Sequence, residues 1–160
     1  MAVSEHVTTV DQGLLRRARA QRADLREALV GLEQALARPA PGRVADWAAD
    51  VHDALVDMAA TFERHIGVTE GDQGFLAEIA EHSPRLINAI QRIEREHERI
   101  RAELAATLDL IRRVEAHVDA HIVETIREHI NALLADLVRH RQHGADLVYE
   151  AHAVDIGGSD

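Results

Sequence analysis

The chain has 160 residues, 46% of them hydrophobic and 2% aromatic, and its 28 acidic and 18 basic residues give a formal charge of −10 at pH 7. This acidic balance argues against nucleic acid and anionic membranes as partners, because both bind to basic surfaces. The absence of cysteine excludes disulfides and thiolate metal ligands. The N-terminus has no apolar leader and no run reaches about 18 apolar residues, so we expect a cytoplasmic protein.

We expect the chain to form a single domain over residues 1–160. Its first half contains two helical patterns. The first helix is predicted from about Asp11, its N-cap, to Arg38, and Pro39-Ala40-Pro41-Gly42 ends it. The second helix is predicted from about Val44 to Ile66. Both carry apolar stripes at helical spacing, and the first stripe includes two charged residues, Arg22 and Glu33.

The second half of the chain predicts two more long helices. A glycine-containing connection, with a short helical turn at 75–80, leads to a third helix that starts at Ser83-Pro84. No Pro or Gly occurs from Arg85 to Gln142, but one helix of that length is too long for a compact domain, so we expect a break near 115–119. We expect loose ends at about 1–10 and 154–160. Four such helices favour an all-α, up-down-up-down four-helix bundle.

Three histidines occupy the apolar stripes of three different helices. His65, His97 and His140 stand where the helical period places core residues, so we expect their side chains to point inward. Two residues of antiparallel neighbours lie at one height when their midpoint falls in the turn. That midpoint is near position 81 for His65 and His97, near 118 for His97 and His140, and near 43 for Arg22 and His65. The arithmetic therefore predicts one layer of three imidazoles and a guanidinium.

This layer has two interpretations. Three neutral imidazoles in a dry interior can bind a divalent transition metal such as iron, zinc or copper. Alternatively, the histidines are hydrogen-bonded to Glu70, Asp136 or the backbone, and Arg22 fills the fourth corner of a metal-free core. Arg22 counts against a metal, because a fixed cation repels a divalent ion unless a carboxylate lies between them.

The chain resembles the hemerythrin-like, or HHE cation-binding, domain family over about Asp11 to Gly158. The resemblance is carried by Glu96-His97 on its apolar stripe, by His65 before an acidic loop, and by Leu134-x5-His140 leading into Leu147-Val148-Tyr149-Glu150. It implies a four-helix bundle with a non-haem di-iron centre that binds dioxygen, or that serves iron handling or the sensing of oxygen, nitric oxide or redox state. His65, His97 and His140 match the family's histidines of the second, third and fourth helices.

The chain departs from the family pattern at three positions. Arg22 stands where the first helix of the family has a histidine, and Thr69 and Gly144 stand four residues after His65 and His140, where the family has carboxylates. The nearest acids there are Glu70 and Asp146. The version of metal binding that this sequence supports best is therefore mononuclear, with three histidines.

Further carboxylates are candidates for completing the site. Glu70 can reach inward if the second helix frays at Gly67, and Asp136 or Glu150 can substitute from the fourth helix. The expected cofactor is non-haem iron, mononuclear or dinuclear, unless the site is metal-free.

The first functional hypothesis is a hemerythrin-like protein whose interior histidine layer binds iron or another divalent metal. Its partners would be the ion and a diatomic gas, O2 or NO, and its oligomeric state monomer or homodimer. The second hypothesis is a metal-free relative, a structural or regulatory binding module in which Arg22 takes the place of the cation. An enzyme is the third, and nothing in the sequence indicates a substrate site.

Other histidine patterns are weaker metal candidates. His140-x-x-His143 can add a second ligand from the fourth helix, although exposure of His143 is favoured. Glu94-x-x-His97 resembles half of a ferritin-like di-iron motif but has no second copy. His117-x-x-x-His121 has a ligand spacing but lies at the predicted break, and we expect both histidines at the surface.

The remaining polar residues are given structural roles. We expect a buried pair of His129 and Glu33, and a salt bridge from Asp136 to Arg101 or Arg26. The charges from Glu94 to Arg101, His97 apart, are expected to face solvent. So are four further histidines: His6, His52, His82 and His152.

Overall fold

A computed structural model describes residues 12–114 and 119–153, and all of its regular secondary structure is helical. The helices are α1 (Gln12–Ala37), α2 (Val44–Thr69), α3 (Phe75–His82), α4 (Ile87–Val114) and α5 (Ala120–Ala153), with a 3-10 turn at Pro84–Leu86. α1 packs along α2, α2 along α4, and α4 along α5. The all-α prediction is confirmed for this part of the chain, while the expected N-cap Asp11 and the expected loose ends lie outside it.

The end of α2 differs from the prediction. The helix continues past Ile66 to Thr69, so that Glu70 follows its last residue directly. Gly67 weakens a helix by only about 1 kcal/mol relative to alanine, which packing of the neighbouring residues readily offsets. The hydroxyl of Thr69 donates a hydrogen bond to the carbonyl oxygen of His65 at 2.8 Å. Glu70 therefore directly follows an intact helix end and does not belong to a frayed segment.

The predicted break in the long second half is confirmed, since α4 ends at Val114 and α5 begins at Ala120. Asp119 marks the start of α5, because its Oδ1 accepts a hydrogen bond from the backbone N–H of Ile122 at 2.9 Å. A carboxylate three residues before the accepted N–H is a standard N-cap arrangement. Asp119 is thus the start signal that apolar periodicity alone did not identify.

Two clusters of buried hydrophobic residues fill the interior. The main core contains Trp47, Leu55 and Phe62 of α2, with buried residues of α1, α4 and α5. The minor core lies at the end of the helices that α3 covers, and consists of Leu15, Ala18, Phe75, Leu76, Ile79, Leu86, Ile90, Ile93 and Leu147. On α1, α4 and α5 the change from one core to the other occurs at Arg22, His97 and His140. One polar layer therefore divides the core.

Several residues differ in burial from what their helical patterns predict. Tyr149, which belongs to the apolar pattern expected for the fourth helix, is 75% exposed, because Leu147, Val148 and Ala151 are the residues that α5 turns toward the minor core there. Glu33 and His129 are both exposed, so the expected buried pair is wrong, and His129 instead places Nδ1 3.1 Å from the carbonyl oxygen of Thr125. His52 was expected in solvent but is half-buried. No helix in the described ranges has an apolar stretch sufficient to cross a bilayer.

Candidate metal centre

Three imidazoles from three helices meet at one point inside the protein. His65 of α2, His97 of α4 and His140 of α5 are 8%, 0% and 2% exposed. The Nε2 atom of His65 lies 3.1 Å from Nε2 of His140 and 3.3 Å from Nε2 of His97. One ring nitrogen from each of the three residues lies within 4.8 Å of the other two. We call these three residues the histidine triad, and its position at one height confirms the predicted layer.

Phe62 forms an apolar wall of the triad. It lies one turn before His65 on α2 and is fully buried. Its ring centroid is 5.8, 5.8 and 5.7 Å from the ring centroids of His65, His97 and His140. A buried apolar wall lowers the local dielectric constant on this side, which strengthens the electrostatic interactions of the imidazoles.

Two carboxylates hold the triad from outside. Oε1 of Glu70 lies 2.5 Å from Nδ1 of His97, and Oε2 of Glu96 lies 3.0 Å from Nδ1 of His140. A carboxylate only accepts hydrogen bonds, so we assign the imidazole proton to Nδ1 in both histidines. Their Nε2 lone pairs then face the centre of the triad, which is the arrangement that carboxylates impose on histidines that bind metals.

Burial keeps the triad neutral. Desolvation first, and then the neighbouring imidazoles, lower the pKa of His65 and that of His97 from 6.5 to about 3. Desolvation also lowers the pKa of His140, although its hydrogen bond to Glu96 acts in the opposite direction. All three imidazoles are therefore uncharged near neutral pH. Neutral imidazole is the form that coordinates a metal ion, since the lone pair must be free.

The two carboxylates differ in their electrostatics. Burial raises the pKa of Glu96, but hydrogen bonds from His140 and His143 outweigh this effect and bring its pKa below the usual value. Burial raises the pKa of Glu70, which is less enclosed. Glu96 is thus the more firmly ionised acceptor, and Glu70 is the one that solvent reaches.

The triad nitrogens cannot all satisfy one another. Nε2 of His97 and Nε2 of His140 both present lone pairs, and His65 has one N–H to offer them. Nδ1 of His65 is buried and has no hydrogen-bond partner in the described part of the protein. A buried polar atom without a partner costs about 1–3 kcal/mol. A cation at the centre would pair with the three Nε2 lone pairs at once, with the proton of His65 on Nδ1.

The structure places the other expected site residues around the triad. Glu70 lies behind His97 and not among the nitrogens that converge. His143 is half-exposed, and its Nδ1 lies 2.6 Å from Oε1 of Glu96. Arg22 is half-buried and lines a cavity that it shares with His65 and His140. The layer therefore includes the expected guanidinium, at the rim of the triad.

Asp136 does not belong to the site. It contacts the guanidinium of Arg139, one turn further along α5, and lies 3.8 Å from that of Arg99. The expected partner Arg101 instead makes paired hydrogen bonds with Glu63 at 2.7 and 3.0 Å. The salt bridge predicted for Asp136 to Arg101 or Arg26 is therefore wrong, because nearer guanidiniums on α4 and α5 take its place. Glu150 is exposed as well.

The weaker motifs do not form sites in the described ranges. Glu94 is exposed, so the ferritin-like pairing with His97 is absent. His121 is exposed, whereas His117 lies outside the described residues. His82 and His152 are exposed as expected, and His6 lies outside the described residues.

Glu96 is the site residue that the sequence interpretation missed. It was expected on a solvated face but is 9% exposed and contacts both His140 and His143. The signal was available, since the midpoints of Glu96 with His140 and with His143 both fall at the α4–α5 connection. Glu96 lies beside the apolar stripe of α4, so periodicity alone does not select it.

Replacing Glu96 by glutamine is expected to weaken metal binding by about 10- to 100-fold, the usual effect of losing a carboxylate behind a histidine ligand. The amide can accept from one of His140 and His143 but presents an N–H₂ group to the other, which disturbs the imidazole that it faces. Competition with a chromophoric chelator measures the affinity. Glu94→Gln, on an exposed position of the same helix, is the matched control, and equal losses in both variants would contradict this role.

Comparisons with known proteins identify no relative. No protein-family model matches the chain, and neither a curated protein nor a solved structure matches it. The geometry of the histidine triad is therefore the basis for assigning a function.

Proposed function

We propose that this protein binds one divalent transition metal ion, with iron the first candidate, in the histidine triad. The bound ion would take a diatomic ligand, O2 or NO, which the protein binds or senses, or the site would serve iron handling. The single observation that carries this proposal is the convergence of three neutral imidazoles, two of them oriented by carboxylates at Nδ1. Such an arrangement supplies three imidazole lone pairs to a cation.

The spacing of the nitrogens supports the proposal. A metal ion 2.0–2.1 Å from two nitrogens at a tetrahedral angle separates them by roughly 3.3 Å. The two Nε2 separations at His65 are 3.1 and 3.3 Å. Three protein ligands also leave a coordination position for an exogenous molecule. The ion would need little rearrangement of the triad and would remain open to a small ligand.

The helix directions support a hemerythrin-like, up-down-up-down four-helix bundle, which we infer for α1, α2, α4 and α5. The minor core lies before Arg22 on α1 and before His97 on α4, but after His140 on α5. The triad lies near the C-terminal end of α2. Successive long helices thus run in opposite directions through one layer, which is the arrangement that short connections produce.

A metal-free module is the second candidate, and Arg22 favours it. The guanidinium lines a cavity together with His65 and His140, and its charge helps to lower the pKa of His65. The Nε2 separations within the triad also lie within hydrogen-bonding range. In this case Arg22 would provide the positive charge of the layer, and the protein would act through its surface.

Metal content tests the proposal. We expect protein produced in iron-rich medium to contain about one metal ion per chain and to show a near-ultraviolet charge-transfer band that O2 or NO alters. Chelation and re-addition of the ion at a hundred times its dissociation constant should restore about 2.7 kcal/mol of stability to the apoprotein. No stoichiometric metal and no stabilisation by iron, zinc or copper would leave the metal-free module.

A further inference from the structure

A small cavity lies against the triad. It has a volume of about 40 Å³ and is bordered by His65 and His140. Most of its wall is apolar and comes from the minor core, including Phe75, Leu76 and Leu147. A water molecule needs about 10–15 Å³ of such volume, so the cavity holds a ligand of about three non-hydrogen atoms.

The charge on the cavity wall has one sign. Two arginines line it, Arg22 of α1 and Arg141 of α5, and none of its lining residues is acidic. Glu70 and Glu96 are engaged with Nδ1 atoms, outside the converging Nε2 groups. Burial, followed by repulsion from Arg19, lowers the pKa of Arg22, which forms no hydrogen bond or ion pair within the described ranges. Arg22 is half-buried at the edge of this apolar space, and a half-buried guanidinium without a counter-ion favours an anion beside it.

We propose that this cavity binds a small monoanion with two oxygen atoms, of the class of formate and nitrite, between the metal ion of the triad and Arg22. This inference rests on the proposed function, because the ion supplies the second positive pole and the open coordination position. The planar guanidinium matches the paired oxygens of such an anion. A neutral gas gains little from a guanidinium, so Arg22 indicates an anion as a further ligand of this site.

Cobalt(II) provides the test, because its visible spectrum reports a change of ligand at the bound ion. The full-length protein is loaded with cobalt(II) and titrated with formate and, separately, with nitrite. We expect a saturable spectral change with at least one of the two anions. The anion that binds more tightly shows whether the site prefers a carboxylate or an oxyanion of nitrogen. Benzoate is too large for the cavity and should cause no change.

Arg22→Gln is expected to weaken anion binding at least tenfold while binding cobalt no more weakly than the unchanged protein, because a repelling cation is removed. The matched control is Arg26→Gln, one turn further along α1 at an exposed position, which should leave anion affinity unchanged.

Gly144→Leu is an independent variant. Gly144 lines the cavity, and a Cβ there meets no atom within 4 Å. A leucine side chain should therefore occupy the cavity and prevent anion binding, while Arg22 itself is not substituted.

The outcomes separate the two proposals. Failure of cobalt and of iron to bind stoichiometrically would overturn the metal site and the anion site together. Stoichiometric cobalt without any saturable anion effect would overturn the anion site alone. So would an Arg22→Gln or Gly144→Leu variant that binds formate or nitrite as tightly as the unchanged protein.

Discussion

Replacing His140 by alanine is expected to weaken metal binding by more than about 100-fold, the upper end of what losing a carboxylate behind a ligand costs. His140 contributes one of three converging nitrogens, and its loss also leaves the buried carboxylate of Glu96 with only the half-exposed His143 as partner. Isothermal titration of the apoprotein with zinc measures the effect directly.

The matched control is His129→Ala, on the same helix but at an exposed position. It removes an imidazole of the same helix without touching the triad, so we expect unchanged stoichiometry and affinity. If both variants bind zinc as well as the unchanged protein, the ion lies elsewhere and the triad is not its site.

The metal-free protein is expected to lose stability steeply as the pH falls below 6.5. The pKa of His65 and that of His97 lie near 3 in the folded protein and near 6.5 when the side chains are in water. Between these values the unfolded chain binds more protons, so the contribution of the two histidines is fully present above pH 6.5 and is lost towards pH 3. From pH 6.5 to 5 the loss should be roughly 3 kcal/mol for the two together.

Urea unfolding at several pH values, followed by the fluorescence of the single, fully buried Trp47, measures this slope. His97→Leu should reduce the slope by about half, and its partner Glu70 has access to solvent and is not stranded by the change. A slope that is the same in this variant would show that the acid sensitivity arises from other groups.

Apolar periodicity predicted the layer of histidines, because the pattern of each helix by itself shows which of its residues face the core. His65, His97 and His140 each occupy a core position, and a helical wheel identifies that position without knowledge of any neighbour. The antiparallel arrangement then fixes relative height through the midpoint. The general position of the break before α5 followed from length alone.

Contacts that depend on the space between helices could not be predicted in this way. Glu96 lies beside the stripe of α4, and only the approach of His140 and His143 from α5 turns it inward. Likewise, Asp136 contacts Arg99 and Arg139 because the packing of α4 and α5 places these guanidinium groups nearest to it. The extension of α2 to Thr69 reflects packing that offsets the helix weakness of Gly67.

The division of the interior into a main and a minor core has a consequence for exchange of the ion. The minor core is the smaller cluster and includes the short α3, so the end of the molecule that it stabilises should open more readily than the rest. Amide hydrogens of α3 should then exchange faster than those around Trp47 in the apoprotein. An ion in the triad would link the main core to the minor core, and its dissociation could be no faster than the local opening of that end of the molecule.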